Sequence, residues 1–150
     1  MKTLTISPQL AVAYELDSEL SFMKENTAND YLVEGFSENE GNYTWTNGTK
    51  AVMLFGIVGE YTDLNLTMEY STFMDSQHVI VSANGNKIAD YQALGEEERS
   101  ITIPGEYVKD GELMLTFEFP EAFSPSAHGI NADERLLALA MKTLTISAEN

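Results

Sequence analysis

Hydrophobic and polar residues alternate along much of this chain, and this pattern predicts strands rather than helices. In Leu64–Phe73 every second residue from Leu64 to Thr72 falls on one, mostly apolar face, and the residues between them are polar. Glu112–Phe119 alternates in the same way and is followed by Pro120, which ends a strand. A period of two is that of a half-buried β-strand.

A turn signal joins two further strands. His78–Ala83 and Lys87–Tyr91 flank Asn84-Gly85, a pair that readily takes the positive φ angles of a type I′ turn. Ser100–Ile103 predicts another strand. Further strands are predicted upstream, at Val12–Leu16, Tyr31–Gly35, Tyr43–Thr46 and, as the longest of these, Lys50–Ile57. Many short strands separated by turns favour an all-β fold, a single antiparallel β-sandwich or jelly roll over residues 1–150.

Two segments have helical alternatives. Gly95–Arg99 is compatible with one helical turn, and Glu96–Glu98 within it with a solvated loop. Ala132–Lys142 has good helix propensity, with Asp133 as a candidate cap. We favour a strand for the end of that second segment, because its apolar residues also alternate and an all-β context overrides propensity.

One internal repeat stands out. The sequence MKTLTIS occupies both Met1–Ser7 and Met141–Ser147, so the leading segment 1–13 begins with a copy of 141–147. Both copies alternate like strands. The chain comes either from tandem modules, the first copy closing a preceding one, or from a design that places a terminal strand at both ends. Which copy completes the sheet stays open, and an unfilled strand position would promote pairing between molecules.

Composition excludes several function classes. The chain has 8 basic and 24 acidic residues, a net charge of −16, and no cysteine. This charge argues against nucleic acid and anionic membrane surfaces as partners. Without cysteine there is no disulfide framework, thiolate metal site or cysteine nucleophile. No cofactor is indicated, although loop carboxylates and carbonyls leave room for a structural calcium ion.

Catalytic motifs are not evident in the sequence. His78 and His128 lie on different predicted elements without metal-ligand spacing. Ser124 and Ser126 precede His128 closely, but no nucleophile elbow surrounds them. We therefore interpret these as ordinary polar positions and expect no catalytic residues. A glycan-active enzyme would need two facing carboxylates, and among 24 acids any chosen pair is weak evidence.

The aromatic residues suggest a binding role. Phe36, Tyr43 and Trp45 lie close together in the chain, among the polar residues Glu38, Asn39, Glu40, Asn42 and Asn47. Sugar binding combines a flat ring for the apolar face of a pyranose with amides and carboxylates for its hydroxyls. The alternative is that Trp45 is a core or corner residue in a strand.

Two motifs carry a resemblance to a known family. Gly35–Thr46, G-F-S-E-N-E-G-N-Y-T-W-T, resembles a G-W-S-x-x-E-x-x-G-x-W-S-x-G signature, with Phe36 in place of tryptophan. Near the end, Ser124-Pro125, Gly129-Ile130, Asp133 and Arg135-Leu136-Leu137 resemble S-P-x-x-x-G-x-S-x-D-x-R-x-L-G, with Ala138 in place of the glycine. Over 14–147 the chain is similar to a C-terminal β-sandwich domain of bacterial envelope-glycan enzymes, which include periplasmic-glucan phosphoglycerol transferases and membrane glycosyltransferases.

The resemblance implies a non-catalytic accessory domain with a fold like that of carbohydrate-binding modules. It implies a periplasmic or extracytoplasmic location, as a fragment of a larger membrane-associated protein whose catalytic domain is a partner. The resemblance does not identify a ligand. Our own leading hypothesis is that the module binds or positions a carbohydrate or envelope glycan, with the candidate contacts Phe36, Glu38, Glu40, Asn42, Tyr43, Trp45, Asp133 and Arg135.

Bracing and binding are both open for the second motif. Glu40 and Trp45 could meet Asp133 and Arg135 where the sandwich closes, and we favour structural bracing by the Asp–Arg pair over ligand contact. The rival to a glycan-binding module is a structural or assembly module that pairs, as a homo-oligomer, through its MKTLTIS strands. A glycan-active enzyme comes third.

Overall fold

The computed structural model describes residues 11–73 and 76–149, and there the chain folds into two facing β-sheets. Twelve strands and three short 3₁₀ turns, but no α-helix, occur within the described residues. The strands are β1 Val12–Glu15, β2 Glu19–Ser21, β3 Leu32–Glu34, β4 Phe36–Asn39, β5 Thr44–Thr46, β6 Lys50–Val58, β7 Asp63–Thr72, β8 Gln77–Ala83, β9 Asn86–Ala93, β10 Glu96–Ile103, β11 Glu112–Glu118 and β12 Leu139–Glu149; the 3₁₀ turns are Thr27–Tyr31, Gly105–Tyr107 and Ser126–His128.

The predicted all-β sandwich is confirmed. Sheet I has the strand order β1–β6–β11–β8–β9, and β3 also pairs with β6. Sheet II has the order β10–β7–β12–β5–β4, and β2 also pairs with β12. Neighbouring strands are antiparallel, apart from β1, which runs parallel to β6.

The period-two faces predicted from the sequence form the core between the sheets. Leu64, Leu66 and Met68 of β7 are fully buried, and Leu113 and Leu115 of β11 face them from sheet I. Burying a large aliphatic side chain stabilises the fold by about 1.5–3 kcal/mol. The two strands with the clearest alternation therefore contribute much of the core.

The predicted hairpin is also present. Asn84 and Gly85 have φ angles of 47° and 87° between β8 and β9, as a type I′ turn requires. The Asn84 side chain ties this turn to sheet I, because its Nδ2 donates to Glu112 O (2.9 Å) and its Oδ1 accepts from Met114 N (2.9 Å).

The helical-turn and loop interpretation of Gly95–Arg99 is wrong. Residues Glu96–Arg99 belong to β10, which pairs with β7 along its whole length. Their side chains are polar because β10 is an edge strand, and tertiary partners hold them: Glu97 Oε1 accepts from Tyr70 Oη (2.8 Å) and from Arg99 (3.3 Å). Burial raises the pKa of Tyr70, which therefore stays a neutral donor to Glu97.

β12 confirms the strand predicted for the end of Ala132–Lys142, and the helical alternative for that segment is absent. β12 begins at Leu139, so the strand favoured for the end of Ala132–Lys142 is present, and Asp133 caps no helix. β12 lies inside sheet II, between β7 on one side and β5 and β2 on the other. The second MKTLTIS copy therefore completes this sheet, and the first copy lies outside the described residues.

A glycine pair offers a test of the chain path into β4. Gly35 and Gly41 have φ angles of +85° and +93°. A Cβ at Gly35 would lie 2.1 Å from Lys50 O, whereas a Cβ at Gly41 meets nothing within 4 Å. Gly41→Ala should cost about 1–2 kcal/mol of unfolding free energy from the backbone alone. Gly35→Ala should cost at least about twice as much, because it adds overlap. Urea unfolding of both variants measures this, and equal losses would contradict it.

Candidate functional site

The only tryptophan of the chain lies on the outer face of sheet II. Thr44 and Thr46, its neighbours in β5, are 2% exposed and face inward. Thr44 Oγ1 donates to Phe22 O (2.8 Å), and Thr46 Oγ1 accepts from Leu139 N (3.0 Å). Because side chains alternate along a strand, Trp45 points outward, where it is half-buried. The core interpretation of Trp45 therefore does not hold.

Trp45 belongs to a chain of aromatic contacts on that face. The ring centroid of Trp45 lies 5.5 Å from that of Tyr43 and 5.6 Å from that of Phe73, at interplanar angles of 71° and 87°. Phe123 follows at 5.0 Å from Phe73, and His128 at 4.6 Å from Phe123. We call these five residues the aromatic cluster. Both contacts of Trp45 are edge-to-face, so neither neighbour covers the indole by parallel stacking.

The strand register of sheet II relates Trp45 to the edge strand β10. Trp45 is paired with Ala140, Ala140 with Ser71, and Ser71 with Glu96, which places one residue from each of four strands in a row on the same face. Three strand spacings separate the ends of this row, about 14 Å. Trp45 and Glu96 therefore lie on the same outer face of sheet II, with the buried Ala140 (2% exposed) between them.

Glutamates line the far end of this row. Glu69, Glu96 and Glu98 surround a shallow depression of about 280 Å³, together with Lys142. Lys142 Nζ donates to Glu96 (2.6 Å) and holds the pKa of its carboxyl below the usual range. Thr143 Oγ1 donates to Glu69 (2.7 Å). We call this group the acidic depression.

The two sequence motifs meet at Arg135, through Glu40 and not, as also expected, through Trp45, whose ring contacts are Tyr43 and Phe73. The Arg135 guanidinium donates to both Asp133 carboxylate oxygens (2.6–3.1 Å), to Glu40 Oε2 (2.9 Å) and to Ser37 Oγ (2.9 Å). These partners engage every nitrogen of the side chain. Arg135 thus ties the segment before β12 to β4, and the geometry is that of a brace.

The brace has a marked electrostatic consequence. Hydrogen bonds from the Arg135 side chain and backbone lower the pKa of Asp133 to about 2. Asp133 and Glu40 in turn raise the pKa of Arg135. The pair is therefore fully ionised over the ordinary pH range, and its carboxylate oxygens are occupied by donors of the protein.

The structure separates the remaining candidates from the aromatic cluster. Phe36 lies opposite Thr46 in the β4–β5 pairing and packs inward on Phe22, with ring centroids 6.1 Å apart. Asn42 and Glu38 are exposed on the β4–β5 hairpin. Trp45 and Tyr43 are thus the predicted candidates that the aromatic cluster contains.

Three members of the aromatic cluster were not predicted: Phe73, Phe123 and His128. They are 28–83 residues from Trp45 in the chain, so local spacing could not group them. One signal was available for Phe73. It follows Thr72 at the end of β7, where the outward positions are otherwise polar, and a large aromatic side chain there indicates a covered or binding surface.

Ser124 and His128 do not form a nucleophile–base pair. His128 Nδ1 lies 3.1 Å from the backbone oxygen of Ser124, and the Ser124 hydroxyl bonds to Ser126 and to Asp133 O rather than to the imidazole. His78 pairs with Asp90 (2.6 Å) on sheet I. Residues 11–73 and 76–149 hold no group of three His, Asp or Glu side chains placed to bind a metal. They also hold no helix that is long and apolar enough to cross a membrane.

No protein-family model matches the chain, and no curated protein matches it. Solved structures do. An acetyl xylan esterase (Est2A) from the rumen bacterium Butyrivibrio proteoclasticus matches at 14% identity and a TM-score of 0.52, covering 89% of this chain and 33% of that one. This chain therefore spans about a third of the length of Est2A.

Two isolated modules match over almost their whole length. The CBM36-1 domain of a multidomain xylanase from the hindgut metagenome of Trinervitermes trinervoides has 11% identity and a TM-score of 0.50, with 89% of this chain and 98% of that one covered. The C-terminal CBM6 of LamC, a marine laminarinase from Zobellia galactanivorans, has 10% identity and a TM-score of 0.50, with coverages of 87% and 98%. The chain thus has the β-sandwich fold of carbohydrate-binding modules.

The brace predicts an acid-dependent loss of stability. The pKa of Asp133 is lowered in the folded protein. The contribution of the Asp133–Arg135 pair to the free energy of unfolding is therefore present above pH 4 and is lost as the pH falls through about 2. Asp133→Asn should lower the Tm at pH 7, and the difference from the parent should shrink between pH 4 and pH 2. A difference that is constant over this range would contradict the ion pair as its cause. Arg135→Lys, which keeps the charge but loses the bidentate contact, should also lower the Tm at pH 7.

Proposed function

We propose that this protein is a non-catalytic carbohydrate-binding module that holds a neutral glycan against the outer face of sheet II. The observation that carries this proposal is the position of Trp45: half-exposed, in T-shaped contact with Tyr43 and Phe73, and aligned in register with Glu96. The fold shared with carbohydrate-binding modules supports it.

The aromatic cluster supplies the apolar part of the site. A pyranose has one face of C–H groups, which an indole face can cover without displacing hydrogen-bonded water from sugar hydroxyls. Tyr43 and Phe73 fix the indole plane from two sides. A ring held in this way loses little rotamer freedom when it binds, so more of the contact energy appears as affinity.

The acidic depression supplies the polar part and selects the ligand. Glutamate oxygens accept hydrogen bonds from sugar hydroxyls, and Glu69 and Glu98 lie next to Glu96 in this depression. The same charges, on a chain with net charge −16, repel sulfate, phosphate or uronate groups. The ligand we propose is therefore an uncharged glycan.

We also propose a setting for the module. It is an accessory domain of a larger bacterial protein that modifies envelope glycans, and it acts outside the cytoplasm by positioning glycan for a catalytic domain of the same protein. The two motifs that meet at Arg135 are those of the resemblance to envelope-glycan enzymes. Their occupied hydrogen-bonding groups brace the loop beside β4 and leave glycan contact to the aromatic cluster.

Tryptophan fluorescence tests the binding site directly, because Trp45 is the only tryptophan in the chain. We expect neutral β-glucan, xylan or galactan oligosaccharides to change its emission in a saturable way. Trp45→Ala should weaken binding, measured by calorimetry, about tenfold or more, which is the loss typical of a central aromatic contact. Glu96→Gln should reduce affinity less and relax the discrimination against sulfated glycans.

A matched control separates binding from stability. Met114, 39% exposed on the outer face of sheet I, gives Met114→Ala, which should leave affinity unchanged. If no neutral glycan binds, or if Trp45→Ala keeps the affinity of the parent, the proposed site is refuted. Appearance of new reducing ends when the chain is incubated with its glycan would refute the non-catalytic role.

A further inference from the structure

We propose that Met1–Ser7 of one chain takes the place of Met141–Ser147 in sheet II of a second copy, so that copies join by exchanging one strand. This inference is independent of glycan binding. It rests on the seven-residue repeat and on the place of the second copy in the fold. We call that place, between β7 on one side and β5 and β2 on the other, the β12 position.

The β12 position accepts these seven residues for specific reasons. Leu144 and Ile146 are fully buried in the core, and Met141 is 3% exposed. On the outer face Lys142 pairs with Glu96, and Thr143 Oγ1 donates to Glu69. The first copy has the same residue type at each corresponding position. It can therefore make every contact that residues 141–147 make with their side chains.

The match extends to an irregularity in the strand. The pairing of β12 with β7 shifts register between Met141 and Thr143, so that Lys142 is the extra residue of a bulge. A bulge is a feature that an arbitrary alternating strand does not reproduce. The first copy repeats these three residues in the same order, at positions 1–3.

The position of β12 in the described chain makes exchange feasible. β12 is its last strand, so it can leave sheet II without unthreading another described element. Exchanged and closed forms have the same contacts over the repeat, and their balance depends on protein concentration. The native strand retains four residues outside the repeat, 139–140 and 148–149, which favours the closed form in dilute solution.

The chain also has a short link to the first copy. Four residues separate Ser7 from Val12, the first residue of β1, and this link can span at most about 17 Å. A donated strand therefore holds the donor's β1 next to sheet II of the acceptor. Joined copies should lie close together, in a defined arrangement.

Disulfide trapping tests the exchange, because the chain has no cysteine of its own. Thr145 pairs with Thr67 across β12 and β7, and Thr5 is the counterpart of Thr145 in the first copy. Chains with Thr5→Cys and chains with Thr67→Cys are refolded together at high concentration and oxidised. We expect a heterodimer linked by a disulfide between positions 5 and 67, identified by mass.

The matched control replaces the acceptor cysteine. Ser100 lies opposite Thr67 on β10, one strand further from the β12 position. With Ser100→Cys in place of Thr67→Cys, the yield of disulfide-linked heterodimer should be at least tenfold lower. Equal yields from the two acceptors, or no heterodimer with either, would overturn the proposal.

A rescue experiment removes the competing native strand. In an acceptor chain, Leu4→Asp, Ile6→Asp, Leu144→Asp and Ile146→Asp place charges in both copies, and the acceptor alone should not fold. A donor with Trp45→Phe should restore folded Trp45 emission in the acceptor. The same donor with Leu4→Asp and Ile6→Asp should not. Rescue by a 141–150 peptide but not by the donor would show that the first copy does not occupy the β12 position.

Discussion

The insertion of β12 into the middle of sheet II is the constraint on which the rest of the structure depends. Its inner residues Leu144 and Ile146 are fully buried in the core, and its backbone joins β7 to β2 and β5. Tyr14 Oη, from β1, accepts from Ile146 N (2.8 Å) and so links β12 to sheet I. Burial raises the pKa of this tyrosine to about 12, and it remains a neutral partner at ordinary pH. Without β12, β7 and β5 would each present an unpaired edge.

The candidate glycan surface depends on the same strand. Trp45 stands opposite Ala140 in the register, and Lys142 anchors Glu96 at the other end of the row. The segment that enters β12 is held by Arg135, whose hydrogen bonds to Asp133 and to two residues of the β4 region leave no side-chain nitrogen without a protein partner. The charged residues of the two motifs thus fix the backbone, while Trp45 on the outer face of sheet II stays partly exposed.

The sequence predicted those elements that are determined by residues close together in the chain. The Asn84-Gly85 hairpin follows from turn chemistry, and β7 and β11 follow from their alternation, because each has one polar and one apolar face. The polar part of β10 could not be recognised in this way, since Glu97 is satisfied by Tyr70, a residue 27 positions away. The sequence did not predict β4 for a similar reason. The Asn39 side chain donates to two backbone carbonyl oxygens in the segment that precedes the 3₁₀ turn Thr27–Tyr31, so a residue type common in turns is held in a strand.

The candidate site was predictable to a comparable extent. Tyr43 and Trp45 are neighbours in the sequence, whereas the inward orientation of Phe36 and the addition of Phe123 depend on long-range pairings that a single sequence without homologues does not specify.

The central place of β12 also affects how the protein is made. A ribosome synthesises residues 139–149 after every other described strand, so β7 and β5 each keep one open edge until those residues have been translated. Folding of the sandwich is then dominated by contacts distant in sequence, a topology that folds slowly. During that interval the open edges of β7 and β5 are accessible to chaperones, and also to aggregation with other nascent chains.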